Sequence, residues 1–228
     1  MKFKSYLSLI KFSHTIFAMP FALIGYVLGY RFFYENFYFY DDMFKEHPKF
    51  VLPFHSKSWD ISLLIQNFIL VIICMIAARS AAMAYNRYLD RDIDAKNPRT
   101  VTREIPAGVI KPNNAKLFTI ICCCLFLLAT AFINVLVFCL APIALFVILF
   151  YSYTKRFTPL CHLVLGLGLS LAPIGAFLSV TAKFNLLPIL FSFVVLLWVS
   201  GFDIIYALQD DKFDKEHNLH SIPAQLRS

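Results

Sequence analysis

Two acidic clusters in this chain have the residue types and spacing to hold a metal-bound anion. The first is Asn86, Asp90 and Asp94; the second is Asp203, Tyr206, Asp210 and Asp214. Both lie at the ends of long apolar runs, where a carboxylate is expensive to desolvate and marks a functional site by default. On a helix, counted from Arg79 at about 100° per residue, Asn86, Asp90 and Asp94 fall at about 340°, 20° and 60°. Counted from Asp203, Tyr206, Asp210 and Asp214 fall at about 300°, 340° and 20°. Each set shares one face. Oxygen ligands stacked on successive turns suit Mg²⁺, which takes hard donors, keeps several waters and is commonly bound by one or two carboxylates plus substrate phosphates. A solvated acidic helix end is the plain alternative for either cluster alone. Two such sets, one of them starting at Asp203 inside the apolar run 196–208, are hard to explain as solvation. Asp92 and Asp211 fall off these faces and read as surface charges.

Basic residues accompany the clusters. Tyr151 and Lys155 are four apart and share a face; a cation there can hold diphosphate oxygens and stabilise a negative leaving group, or it is an ordinary membrane anchor. Arg99 and Arg103 can reach phosphates or a substrate carboxylate, or serve only membrane topology. Arg79 sits inside an apolar run on the acidic face, placed to pair with a carboxylate or an anionic substrate. His14 reads as a hydrogen-bonded structural histidine. The chain carries no Ser-His-Asp set, no Walker loop, no GxGxxG and no His/Cys zinc spacing.

Membrane helices must position these groups. Hydrophobic residues make up 59% of the 228, and mean hydropathy is +0.67. A soluble domain of this length cannot bury so much apolar surface, so the chain is an integral membrane protein. Its apolar stretches read as helices, not alternating barrel strands. The sequence predicts six spans, over 10–33, 61–85, 116–135, 138–153, 160–181 and 186–207, each needing about 20 residues to cross the hydrocarbon. The first span shows no small-residue cleavage site and is kept as a helix. Segment 34–60, aromatic and charged, reads as an outer interfacial loop. The six cysteines lie in apolar runs without CxxC spacing and read as filler.

The net charge of +7 reflects topology, not nucleic acid. With the N-terminus in the cytoplasm, the N-terminus, the 79–116 region, the 154–159 loop and the C-terminal tail hold 16 of the 21 Lys and Arg residues. Arg31, Lys45, Lys49, Lys57 and Lys183 are the other five. This bias follows the positive-inside rule and brings both acidic clusters to the cytoplasmic face.

The three motifs (Asn86-xxx-Asp90-xxx-Asp94, Tyr151-xxx-Lys155 and Asp203-xx-Tyr206-xxx-Asp210-xxx-Asp214) resemble the signatures of the UbiA superfamily of intramembrane aromatic prenyltransferases. The opening Phe12-Ser-His-Thr-Ile-Phe-Ala-Met-Pro and the run Gly201–Asp210 followed by His220-Ser-Ile-Pro223 look most like its 4-hydroxybenzoate polyprenyltransferase branch, including relatives assigned to menaquinone synthesis by the futalosine route. The resemblance covers nearly the whole chain and implies an all-α polytopic bundle, normally of nine transmembrane helices, with 1–228 as one such domain. It implies Mg²⁺ and diphosphate held by Asn86, Asp90, Asp94, Asp210 and Asp214. By the same resemblance Lys155 would contact diphosphate with Tyr151 in support; Asn86 with Arg79, Arg99 and Arg103, the arginines put forward above from their places in the sequence, are the substrate-binding candidates. The resemblance also makes Arg156 and Asp203 candidates for acceptor positioning or ring deprotonation. The implied reaction joins a polyprenyl diphosphate to an aromatic acceptor such as 4-hydroxybenzoate, in ubiquinone or menaquinone synthesis, at the cytoplasmic face of a bacterial inner membrane.

Measured against that pattern, six spans stop about three helices short. A truncated or frameshifted product, inactive unless another chain or an oligomer completes it, is therefore one expectation. Two other classes fit less well. An ion-coupled transporter places its carboxylates near the bilayer midplane, whereas these lie at one face. A lipid-alcohol phosphotransferase carries a DGxxAR signature, absent here.

Overall fold

The computed structural model describes the backbone of residues 2–45 and 61–226. In chain order its helices are α1 (Lys2–Leu9), α2 (Phe12–Lys45), α3 (Ile61–Leu89), α4 (Arg91–Asp94), α5 (Pro112–Ala131), α6 (Val135–Thr154), α7 (Cys161–Thr181), α8 (Leu186–Ala207), α9 (Asp211–Glu216) and α10 (Ile222–Leu226). No strand occurs among the described residues. Six helices are long and apolar enough to cross a membrane: α2, α3, α5, α6, α7 and the α8 run. These are the six spans expected from the sequence.

Several boundaries differ: α3 runs on to Leu89 instead of 85, α5 covers Pro112–Ala131 instead of 116–135, and two further ones shift for a physical reason. The first span does not stop at residue 33, because α2 continues through Lys45. Charge ends a hydrophobic run but not a helix, and Arg31 and Glu35 extend this one with an i,i+4 ion pair at 2.8 Å. Thus the start of the expected outer loop is helical; 46–60 lies outside the described residues, as does the side chain of His14. At Asn134, where the sequence leaves little room, a cap sets the boundary. Asn134 Oδ1 accepts from the Val137 N–H at 2.9 Å, and Nδ2 donates to the Leu178 carbonyl at 2.9 Å. Helices α5 and α6 thereby reach 20 residues each, about 30 Å.

α2 packs on α7, α3 on α5, and α7 on α8. Small residues permit these approaches. A Cβ on Gly25 of α2 would fall 2.2 Å from the carbonyl oxygen of Pro173 in α7. A Cβ on Gly166 of α7 would fall 2.2 Å from Ser200 Oγ and 2.6 Å from the Leu196 carbonyl oxygen of α8. That second crossing lies one turn from Asp203 and fixes what α7 presents to it. Leu9, Ala84, Ile105, Ile110 and Ala115 form a buried cluster that pins the 95–111 connection beneath α1, α3 and α5.

Candidate active site

The first acidic motif spans a break in the helix. Asn86 is in the last turn of α3, Asp90 lies between α3 and α4, and Asp94 ends α4. One-turn stacking survives the break: the Asp90 N–H donates to the Asn86 carbonyl at 2.9 Å, and the Asp94 N–H to the Asp90 carbonyl at 2.7 Å. The second motif departs further from the expected single helix. A 3-10 turn at Leu208–Asp210 separates α8 from α9, so Asp203 lies in one helix and Asp214 in the next. Three residues per turn instead of 3.6 shift the register there.

Basic side chains neutralise these carboxylates. Arg103 Nη1 donates to both oxygens of Asp94, at 2.8 and 2.9 Å. Arg99 holds Asp210 with two nitrogens, Nε donating at 2.9 Å. Its Nη1 donates to the Tyr206 hydroxyl at 3.1 Å, and the guanidinium lies over that ring. Such forked, charge-assisted contacts are the strong class of hydrogen bond. Lys155 caps α6 and sets Nζ 2.7 Å from Oδ1 of Asp214, whose side chain is completely buried. Neither Asp214 oxygen takes a hydrogen bond of ordinary geometry. Arg156 donates to the Leu89 carbonyl at 2.8 Å and lies 3.5 Å from Asp90 Oδ1. Asn86 Nδ2 donates to Asp90 Oδ2 at 3.1 Å. Burial, and secondarily the charge of Asp94, pushes the Asp90 carboxyl up to about 6, although Arg156 and Lys155 pull it down.

The two motifs therefore converge, α3 and α4 with α8 and α9, joined by the 95–111 connection and the end of α6. Arg99 crosses from the first region to Asp210 of the second, and Asn97 Nδ2 reaches the same carboxylate at 3.1 Å. In this arrangement no three His, Cys, Asp or Glu side chains among the described residues meet closely enough to hold an ion. The donor chemistry nevertheless fits Mg²⁺. The oxygens are hard ligands, both Asp214 oxygens lack hydrogen bonds, and Asp90 is destabilised as an anion by its neighbours.

Beneath the polar layer lies a cavity of about 330 Å³, lined by α2, α3, α5, α6 and α7. Arg79, Thr130 and Tyr151 are its polar lining residues; the rest is apolar, from Ala22 and Val71 to Ile148 and Leu169. Of the two partners expected for Arg79, a carboxylate or an anionic substrate, the structure does not provide the first. Among the described residues no carboxylate oxygen lies within ion-pair distance of it, and its buried Nε has no hydrogen-bond partner. Tyr151 and Asp203 are the groups it feels electrostatically. Tyr151 faces the cavity one turn before Lys155. Asp203 stands on α8, where its Oδ2 is 2.7 Å from His162 Nδ1. Arg156 lies on the first motif, away from the cavity lining.

Sequence reasoning overlooked three contributors. His162 begins α7 with no spacing signal toward Asp203, 41 residues later. Asn97, which reaches Asp210, stands outside the spacing of both motifs. Arg87 counted as a topology charge, yet it is buried and paired with Glu104, which also accepts from Ser8. Asp92 is exposed as expected; Asp211 is half-buried.

The sequence pattern of the UbiA prenyltransferase family matches residues 50–228. The 4-hydroxybenzoate octaprenyltransferase of Neisseria meningitidis serogroup B is 37% identical over 139 residues, covering 60% of this chain and 46% of the relative. That of Francisella tularensis subsp. novicida is 30% identical over 160 residues, covering 69% and 55%. The chain thus spans about half the length of the curated relatives it matches. Among solved structures, the apo UbiA homologue from Aeropyrum pernix K1 aligns with a TM-score of 0.74 at 30% identity, over 94% of this chain and 70% of that one. A UbiA homologue from Archaeoglobus fulgidus bound to DMAPP and Mg²⁺ shares the fold, with a TM-score of 0.68 at 22% identity over 97% and 69%. With two acidic motifs converging over an apolar cavity and a family pattern that runs through both, the chain belongs to the UbiA prenyltransferase family.

Proposed function

We propose that this chain transfers a polyprenyl group from its diphosphate to an aromatic acceptor of the 4-hydroxybenzoate type, in quinone synthesis at the cytoplasmic face of a bacterial inner membrane. The observation that carries this reading is the stacking of a cation-and-carboxylate layer on an apolar cavity holding one unpaired arginine. A prenyl diphosphate has that same division, an anionic head and an apolar tail.

Asn86, Asp90, Asp94, Asp210 and Asp214 are the residues that would hold Mg²⁺. Bound there, the ion neutralises the leaving diphosphate. Lys155, Arg99 and Arg103 now neutralise carboxylates; turned toward phosphate oxygens, they stabilise the same developing charge. The apolar walls receive the prenyl tail and keep water from the allylic cation. Arg79, buried without a partner at the cavity wall, takes the acceptor carboxylate, because an unpaired buried cation is costly and an anionic ligand removes that cost. Tyr151 lies beside it. To Asp203 this reading assigns removal of the proton from the ring carbon next to the hydroxyl.

The test is product formation from 4-hydroxybenzoate and a short prenyl diphosphate in membranes containing the chain. Arg79→Ala is expected to raise KM for the acceptor far more than KM for the diphosphate. Equal rises in both would remove Arg79 from acceptor binding.

A further inference from the structure

We propose that His162 is the positioning residue for Asp203, fixing the carboxylate so that one oxygen is anchored and the other is open to take the ring proton. This rests on the prenyltransferase reading above and assigns a role to a histidine outside the three motifs.

His162 is buried, with 3% of its surface exposed. Its Nδ1 lies 2.7 Å from Asp203 Oδ2, and its Nε2 lies 3.4 Å from the backbone nitrogen of Ile222. A backbone N–H can only donate, so Nε2 must be the acceptor. The ring proton then belongs on Nδ1, where it donates to the carboxylate. The fold thus selects the tautomer that Asp203 requires. Asp203 Oδ1 has no hydrogen-bond partner among the described residues. One oxygen is held and the other is free, on a side chain 31% exposed and within electrostatic reach of Arg79 and Tyr151.

The surrounding structure fixes this pair on both sides. Gly166 sits one turn after His162, and Ser200 nearly one turn before Asp203. Their close contact locks α7 against α8 at this level. On the other side, the segment before α10 is latched to the ends of α6 and α7. The His220 N–H donates to the Lys155 carbonyl at 2.8 Å, and Cys161 Sγ lies 3.5 Å from the His220 carbonyl. Ile222 therefore delivers its N–H from a tethered position.

The step balances as follows. The prenyl C1–O bond breaks, and its electron pair leaves with the diphosphate. A π pair of the acceptor forms the new bond from the ring carbon beside the hydroxyl to C1. The proton on that carbon passes to Asp203 Oδ1, and the C–H electrons restore the aromatic ring. Without His162 the carboxylate rotates, and proton removal slows while diphosphate departure does not.

The experiment compares wild type, His162→Ala and His162→Asn in membranes, with ordinary 4-hydroxybenzoate and acceptor deuterated at both carbons beside the hydroxyl. Loss of orientation at a reacting group lowers kcat by about 10²-fold; His162→Ala is expected to show a fall of that order, with KM for the prenyl diphosphate unchanged. A deuterium isotope effect on kcat should appear or grow in the alanine variant. His162→Asn, whose amide N–H occupies the place of Nδ1, should recover most of both properties and shows that the site still folds. Unchanged kcat, or a slow alanine variant with no increased isotope effect, would overturn the proposal. Absence of product from wild type itself would instead remove the transferase reading, and this role with it.

Discussion

At the residue scale the site is a set of carboxylates balanced by cations. Asp214 shows the cost most plainly. Its side chain is fully buried, and Lys155 is its ion partner. Removing one partner of a buried pair leaves an uncompensated charge. Lys155→Met is therefore expected to destabilise the chain by about 3 kcal/mol, toward the lower end because the lysine is partly exposed. Asp214→Asn in that background should recover part of the loss without restoring activity, and thermal unfolding in detergent measures both. Asp90 gives a pH dependence. Its carboxyl is raised to about 6, so the metal-free fold gains stability from this group at low pH and loses it as pH rises through about 6. Mg²⁺ needs the carboxylate, and the proton competes. The Mg²⁺ concentration for half-maximal product formation should therefore rise about tenfold between pH 7 and pH 5, and Asp90→Asn should abolish most activity at both. The acidic motifs were legible in the sequence because charge inside apolar runs is conspicuous. Their arginine partners were not, because nothing in spacing says that Arg99 reaches a residue 111 positions away.

At the element scale the helices place the chemistry, and small residues set how closely they approach. Gly166→Ala puts a Cβ 2.6 Å from the Leu196 carbonyl oxygen, backbone that cannot swing aside. Overpacking of this kind costs about 1–3 kcal/mol. It should also lower kcat by separating His162 from Asp203, which parallel melting and rate measurements on the variant will show. The 95–111 connection depends on a buried ion pair of its own, Arg87 with Glu104. Glu104→Gln should loosen Arg99 and Arg103 together and raise KM for the prenyl diphosphate, whereas Asp92→Asn on the exposed face should leave it unchanged. All six spans could be read from hydropathy. The continuation of α2 to Lys45, the break after Leu89 and the 3-10 turn at Leu208–Asp210 could not. Hydropathy reports the lipid boundary, while hydrogen bonds decide where a helix ends.

At the scale of the whole molecule, six helices long and apolar enough to cross a membrane carry a polar layer at the ends of α3, α6 and α8 over an apolar cavity. The broad exposed apolar surface, including Phe193, Leu197, Trp198 and Phe202 on α8, suits a lipid environment rather than water. Position along the helices weighs against an ion-coupled transporter. The two acidic motifs gather at one end of the bundle, and Asp203, the one set inside α8, is paired with a histidine instead of forming an ion path at mid-depth. The most direct test is product formation by membranes carrying this 228-residue chain, supplied with 4-hydroxybenzoate, a short prenyl diphosphate and Mg²⁺, and read by mass spectrometry. Prenylated product that disappears with EDTA and with Asp90→Asn is the predicted result. Protein shown to be inserted and folded that yields no product, or product indifferent to both treatments, would contradict it.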